Sequence, residues 1–164
     1  MSGPGTAGRA GAMATPTGRT TLTPRAGDCA DAMSTIEVTS TSEDGYTTRS
    51  RVGDFELTID ATDEDGPNPN ATLLADYASC FIPAFRVGGQ KEGFDDLGRI
   101  DIDVEGDVDD DDDLSAIRFH VLVEEALEDD EFDAVVDRAE DICHVHSALR
   151  EGLHADISGE TGAF

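Results

Sequence analysis

The chain has 164 residues, enough for one domain with an appendage and too few for two full-sized ones. Its 37 acidic side chains against 11 Lys and Arg leave a formal charge of −26, which repels phosphate backbones and anionic headgroups and excludes nucleic acid and membrane surfaces as natural partners. No apolar run approaches the roughly 20 residues of a bilayer-spanning helix, and three cysteines are too few for a disulfide-stapled scaffold and leave at least one thiol free or paired elsewhere.

What remains is a soluble, acidic domain expected in the cytoplasm. Acidity with few aromatics can signal disorder, yet 38% of the residues are hydrophobic and they fall in periodic blocks. Lys91 is the only lysine; the other cations are arginine. This composition suits a halophilic protein working in molar salt, where the Debye length is ~3 Å and like charges hardly repel. At low ionic strength the same charge is expected to destabilise the fold.

Residues 1–32 are Gly, Ala, Thr, Pro and Arg with hardly an apolar side chain, and no acid precedes Asp28. Such a segment cannot bury enough surface to offset its ordering entropy and is predicted to be disordered. It has neither the apolar stretch of a signal peptide nor paired arginines. The expectation is a non-structural leader or an over-extended start, with Met33 as initiator and Cys29 chemically incidental. The folded domain is predicted over 33–164.

From Ser34 the pattern becomes orderly. Ile36 and Val38 alternate with polar neighbours, Glu43-Asp44-Gly45 reads as a turn, and residues 46–51 and 54–60 continue the alternation around Gly53-Asp54. This predicts a three-stranded antiparallel start. Asn68-Pro69 reads as an N-cap with proline at the first helical position. The helix is predicted to run to about Val87, with Leu73, Leu74, Tyr77, Cys80, Phe81, Ala84 and Phe85 at three- and four-residue steps. Pro83 lies inside it and predicts a kink or break, and Gly88-Gly89 a stop. Ile100, Ile102 and Val104 form a fourth strand, Asp109 to Asp113 a hairpin loop, and Ile117, Phe119, Val121 and Val123 a fifth strand. A second helix is predicted from about Asp130 to Arg150, burying Phe132, Val135, Ala139, Cys143, His146 and Leu149. Gly152 ends it, and Leu153 to Ile157 reads as a last strand. The order βββ-α-ββ-α-β, antiparallel sheets around two helices, is an α+β fold.

The aspartate run lacks the ligand spacing, central glycine and closing glutamate of a calcium loop and reads as a solvated hairpin tip. Cys143, His144 and His146 form a cluster with zinc-ligand chemistry, but on a helix only Cys143 and His146 share a face, and a site would need Cys80 as well. There is no phosphate loop, nucleophile elbow or zincin pattern. Cys80 and Cys143 lie on the apolar faces of the two predicted helices. Buried free cysteines are commonly small core hydrophobes. Alternatively the two meet: a peroxide oxidises one thiolate to sulfenic acid and the other condenses with it to a disulfide. The first thiolate then needs a cation beside it, because Cys80 sits too far into its helix for the macrodipole. Arg49 or Arg51 on the second strand can supply it.

The stretch Asn68-Pro69 through Tyr77-Ala78-Ser79-Cys80-Phe81, followed by Cys143-His144-Val145-His146-Ser147-Ala148-Leu149, resembles the OsmC/Ohr family, over about residues 34–158. The resemblance implies an intertwined homodimer with active sites at the subunit interface. It implies thiol-dependent reduction of hydroperoxides, often organic ones, without a cofactor or metal. By it Cys80 is the peroxidatic cysteine and Cys143 the resolving one, in an apolar pocket, and a dithiol reductant reopens their disulfide. Where the Ohr branch has a glutamate after Asn-Pro that orients the catalytic arginine, this chain has Asn70, which can hydrogen-bond a guanidinium without neutralising it. Glu43 and Asp44 stand where that arginine would be, and Arg49 and Arg51 are the nearest cations. Tyr77, His144 and His146 are further candidates around the thiols, since an imidazolium also lowers a thiol pKa. Two other readings of these residues are a redox sensor or small-ligand binder on the same fold, and a zinc-binding domain using Cys80, Cys143 and His146.

Overall fold

The computed structural model describes residues 35–164; the leader expected over 1–32, with Cys29, lies outside them. Strands β1 (Val38–Thr41), β2 (Thr47–Val52) and β3 (Phe55–Asp60) form an antiparallel sheet, as the alternation predicts. Gly53 opens the two-residue turn between β2 and β3 at φ 59°, a positive value that glycine adopts without steric cost. The carboxylate of Asp60 closes the following loop, accepting from the Thr62 amide at 2.8 Å and hydroxyl at 2.7 Å and from the Thr47 hydroxyl at 2.9 Å. These donors, Thr62 foremost, hold its pKa down at about 2.

Helix α1 (Pro69–Glu92) starts as expected: the Asn68 side chain accepts from the Ala71 amide at 2.8 Å, and Pro69 needs no partner for its missing N–H. It does not stop near Val87. It runs through Pro83, which is exposed, and through Gly88 and Gly89 to a left-handed cap at Gly93. The two glycines are buried for close approach. A Cβ on Gly88 would lie 2.9 Å from the Val135 carbonyl, and one on Gly89 would lie 2.7 Å from Leu97 Cδ1. Each glycine costs a helix interior about 1 kcal/mol relative to alanine, and here the packing offsets it.

Strands β4 (Ile100–Val108) and β5 (Leu114–Val123) form the expected hairpin around the aspartate loop, where the Asp109 amide donates to the Asp113 carbonyl at 2.9 Å. Ile117, Phe119, Val121 and Val123 of β5 all face the core. Two expectations are corrected beyond it. The second helix breaks at Cys143, giving α2 (Asp129–Ile142) and a short α3 (His144–Ala148). The last strand begins later than expected, after a 3-10 turn at Glu151–Leu153. As β6 (Asp156–Thr161), it runs parallel to β5, so the second sheet, ordered β4-β5-β6, is mixed. The helices between β5 and β6 form the crossover that parallel neighbours require.

Helix α1 packs on α2 and on the second sheet. Aromatic rings line the contact: Tyr77 and Phe119 have centroids 4.7 Å apart, Phe81 and Phe119 5.5 Å, and Phe85 and Phe132 5.7 Å. Gly88→Val is expected to lower stability by about 1–3 kcal/mol through overpacking against Val135, read as a lower urea midpoint at constant salt.

Candidate active site

Cys80 rides the middle of α1, half-buried, three residues beyond the fully buried Tyr77. Cys143 is fully buried at the break between α2 and α3. Its backbone is extended there, with φ −69° and ψ 111°. Its amide closes α2 on the Ala139 carbonyl at 2.8 Å, and its sulfur accepts from the His146 amide at 3.4 Å. One residue thus caps two helices. Both thiols are free and they adjoin each other. Burial, ahead of the neighbouring Cys80 thiol, pushes the Cys143 thiol up to about 11, against the pull of the His146 amide.

Tyr77 and His146 join the two cysteine-bearing segments: the Tyr77 hydroxyl lies 2.6 Å from His146 Nδ1. The same oxygen accepts from the Ala155 amide at 3.3 Å. Burial raises the Tyr77 pKa to about 12, so the hydroxyl keeps its proton and is able to donate it to Nδ1. Where the hydroxyl is the donor, His146 is the tautomer protonated on Nε2. Its ring stacks on His154 at 3.9 Å between centroids. Burial first, and His154 second, lower its pKa, so it is a neutral imidazole at pH 7 and not the thiol-activating imidazolium of the sequence reading.

A groove of about 550 Å³ opens beside this cluster, lined by Asp137, Glu140, Asp141, His146, Ser147 and His154. It is polar, unlike the apolar pocket expected near the thiols. His144 is exposed. Asn70 donates to the Asp112 carbonyl at 3.3 Å and so steadies the aspartate loop instead of a guanidinium. Arg49 lines a separate groove with Glu43, Asp44 and Asp65. Neither Arg49 nor Arg51 makes an ion pair with a described residue. Among the described residues no group of three or more His, Cys, Asp and Glu side chains is arranged to hold a metal ion, and Tyr77 occupies one nitrogen of His146. The structure thus brings Cys80, Cys143, Tyr77 and His146 together and leaves Arg49, Arg51, Asn70 and His144 apart from them. It adds His154, which no periodicity flagged because it stands alone in a loop before β6.

The family model described as OsmC-like protein matches residues 60–158. An uncharacterized protein of Haloferax volcanii is 61% identical over 132 residues, which are 80% of this chain and all of the relative. A hypothetical protein from Aquifex aeolicus VF5 superposes with a TM-score of 0.67 at 21% identity, over 79% of this chain and 97% of that one. The organic hydroperoxide resistance protein OhrB of Bacillus subtilis superposes with a TM-score of 0.61 at 21% identity, over 79% of this chain and 100% of that one. At these identities the solved structures show the fold.

The buried, protonated Cys143 should resist alkylation. With the folded protein at pH 8, iodoacetamide is expected to label Cys80 well before Cys143, and peptide mapping should find Cys143 modified promptly only after denaturation.

Proposed function

The chain belongs to the OsmC-like protein family, and on that premise we propose that it is a cytoplasmic, salt-adapted thiol peroxidase reducing hydroperoxides, organic ones preferred. The observation that carries the reading is the adjacency of two free thiols delivered by separate helical segments. Solved neighbours named as organic hydroperoxide resistance proteins, from Legionella pneumophila and Bacillus subtilis, support it.

In the proposed cycle the Cys80 thiolate attacks the outer peroxide oxygen. The O–O bond breaks, the alkoxide leaves and takes a proton as an alcohol, and Cys80 becomes a sulfenic acid. The Cys143 sulfur then attacks the Cys80 sulfur; an S–S bond forms, the S–O bond breaks, and the thiol proton and hydroxide leave as water. A dithiol reductant reopens the disulfide by exchange. No cofactor or metal enters this scheme.

The thiolate at Cys80 needs a nearby cation, and in one protomer neither Arg49 nor Arg51 has an ionic partner among the described residues. We assign that role to these arginines across a homodimer interface. On the first sheet Val38, Phe55 and Leu57 share one face through the β1–β2–β3 register, with Arg49 and Arg51 on the other, so a partner wrapped around the sheet meets both; the three apolar residues are 54%, 77% and 49% exposed. An apolar face of this kind invites a second copy, and salt screening makes association of two acidic bodies tolerable. A redox sensor using the same pair is the second reading, favoured by one observation, the full burial of Cys143.

Intact mass in molar KCl, before and after one equivalent of an organic hydroperoxide, tests the reading. A loss of about two mass units mapped to Cys80–Cys143 is expected. Cys80→Ser should abolish turnover, and Cys143→Ser should stall at sulfenic or sulfinic acid. Stoichiometric oxidation without turnover in excess dithiol would instead select the sensor. Phe55→Asp is expected to convert a dimer into a monomer by light scattering.

A further inference from the structure

We propose that Tyr77 and His146 are positioning residues for the thiol pair: their hydrogen bond clamps the helix break at Cys143 against the helix that carries Cys80, and the clamp holds while His146 is neutral. The idea deepens the peroxidase reading and rests on it for its meaning in turnover, although it concerns disulfide closure itself.

The geometry is reciprocal. Tyr77 stands three residues before Cys80, and His146 stands three residues after Cys143. In α1 that spacing puts Tyr77 and Cys80 on one helix face. Tyr77 is held at three points: its ring against Phe119, its oxygen under the Ala155 amide at 3.3 Å, and its proton on His146 Nδ1 across 2.6 Å. His146 is held twice, through its ring by Tyr77 and through its amide by the Cys143 sulfur at 3.4 Å. Fixing the ring therefore fixes the amide, and the amide fixes the sulfur's direction at the only non-helical residue between α2 and α3. A continuous helix would leave no such handle on Cys143.

The clamp responds to pH because its acceptor is a titratable nitrogen. The groups around His146 are Tyr77 from α1, Cys143 at the break, Asp137, Glu140 and Asp141 from α2, and His154 ahead of β6. Burial, and His154 after it, oppose its protonation, so the neutral ring is favoured at pH 7. The His146 pKa lies below the ordinary 6.5. With Tyr77 as donor and Nε2 protonated, the proton that arrives as pH falls through it takes Nδ1. Tyr77 then loses its acceptor and the clamp opens. The contribution is present above the ordinary histidine pKa and is lost on acidification.

The test follows Cys80–Cys143 closure in the full chain in molar KCl, driven in parallel by an organic hydroperoxide and by diamide. Diamide takes up two electrons and two thiol protons to become a hydrazine, with no peroxide chemistry. Tyr77→Phe keeps the ring on Phe119 and removes the hydroxyl; closure is expected to slow about tenfold, the factor set by a typical hydrogen bond. Wild type should show an inflection below pH 6.5, with slower closure on the acid side. His146→Asn offers an amide oxygen near the Nδ1 position that does not titrate, and should close at nearly the wild-type rate without the inflection. A merely structural role would not remove it. The ring ¹⁵N shifts of wild-type His146, which need no variant to fold, should report the Nε2–H tautomer. Equal closure rates for wild type and Tyr77→Phe, or the Nδ1–H tautomer, would overturn the clamp. Closure slowed in Tyr77→Phe with diamide, while hydroperoxide leaves both proteins reduced, would end the peroxidase reading and leave the clamp standing. No closure with either oxidant overturns both.

Discussion

The close passage of α1 over α2 is the constraint on which the rest of the site depends. Gly88 lets the helices approach until a Cβ would lie 2.9 Å from the Val135 carbonyl. That approach brings the middle of α1 beside the far end of α2. Cys80 and Tyr77 thereby face the residues around Cys143. Phe81, Phe85, Phe119 and Phe132 fill the layer behind them. Backbone proximity that demands glycine at one point of a helix is felt several turns away, because the helix between is rigid and its packed core tolerates little slack.

Charge plays a different part. The ion pairs, such as Arg118 with Asp107 at 2.7 Å and Arg86 with Asp96 at 3.7 Å, involve side chains well open to solvent. Exposed pairs of this kind contribute about 0–1 kcal/mol, and less in salt. Stability therefore rests on the apolar layer, while the acids keep the surface hydrated. Against that background Arg49 and Arg51, exposed on the first sheet and without ion partners among the described residues, are conspicuous in a chain so rich in acid.

Much of the architecture was legible in the residues. Period-two alternation in β2, β3 and β5, Asn68-Pro69 at the start of α1, and the two thiols on apolar faces each follow from a local rule. What escaped was set by tertiary contact. Gly88-Gly89 looks like a stop until Val135 and Leu97 are seen against it. The break at Cys143 carries no proline or glycine; it falls at a residue whose amide closes one helix and whose thiol caps the next. The parallel course of β6 depends on where the crossover returns the chain, which no strand pattern records. At the site, the apolar positions placed Tyr77 and His146 on buried faces, but not in contact across 69 residues of sequence. An imidazolium at His144 or His146 was one candidate activator of a thiol, whereas burial keeps His146 neutral.

That inversion bears on how the two thiols would divide their work. With its pKa pushed up to about 11, Cys143 is almost wholly a thiol at pH 7. A group so rarely ionised is a poor first nucleophile for a freely diffusing peroxide. It is adequate for attack on a sulfur already beside it, because proximity can supply effective concentrations far above any attainable in solution. Cys80 is the half-buried member and meets solvent directly, so access falls to Cys80 and placement to Cys143. A neutral His146 suits this division. An imidazolium there would favour ionisation of the wrong sulfur, whereas a neutral ring accepting from Tyr77 holds the second sulfur where proximity can act.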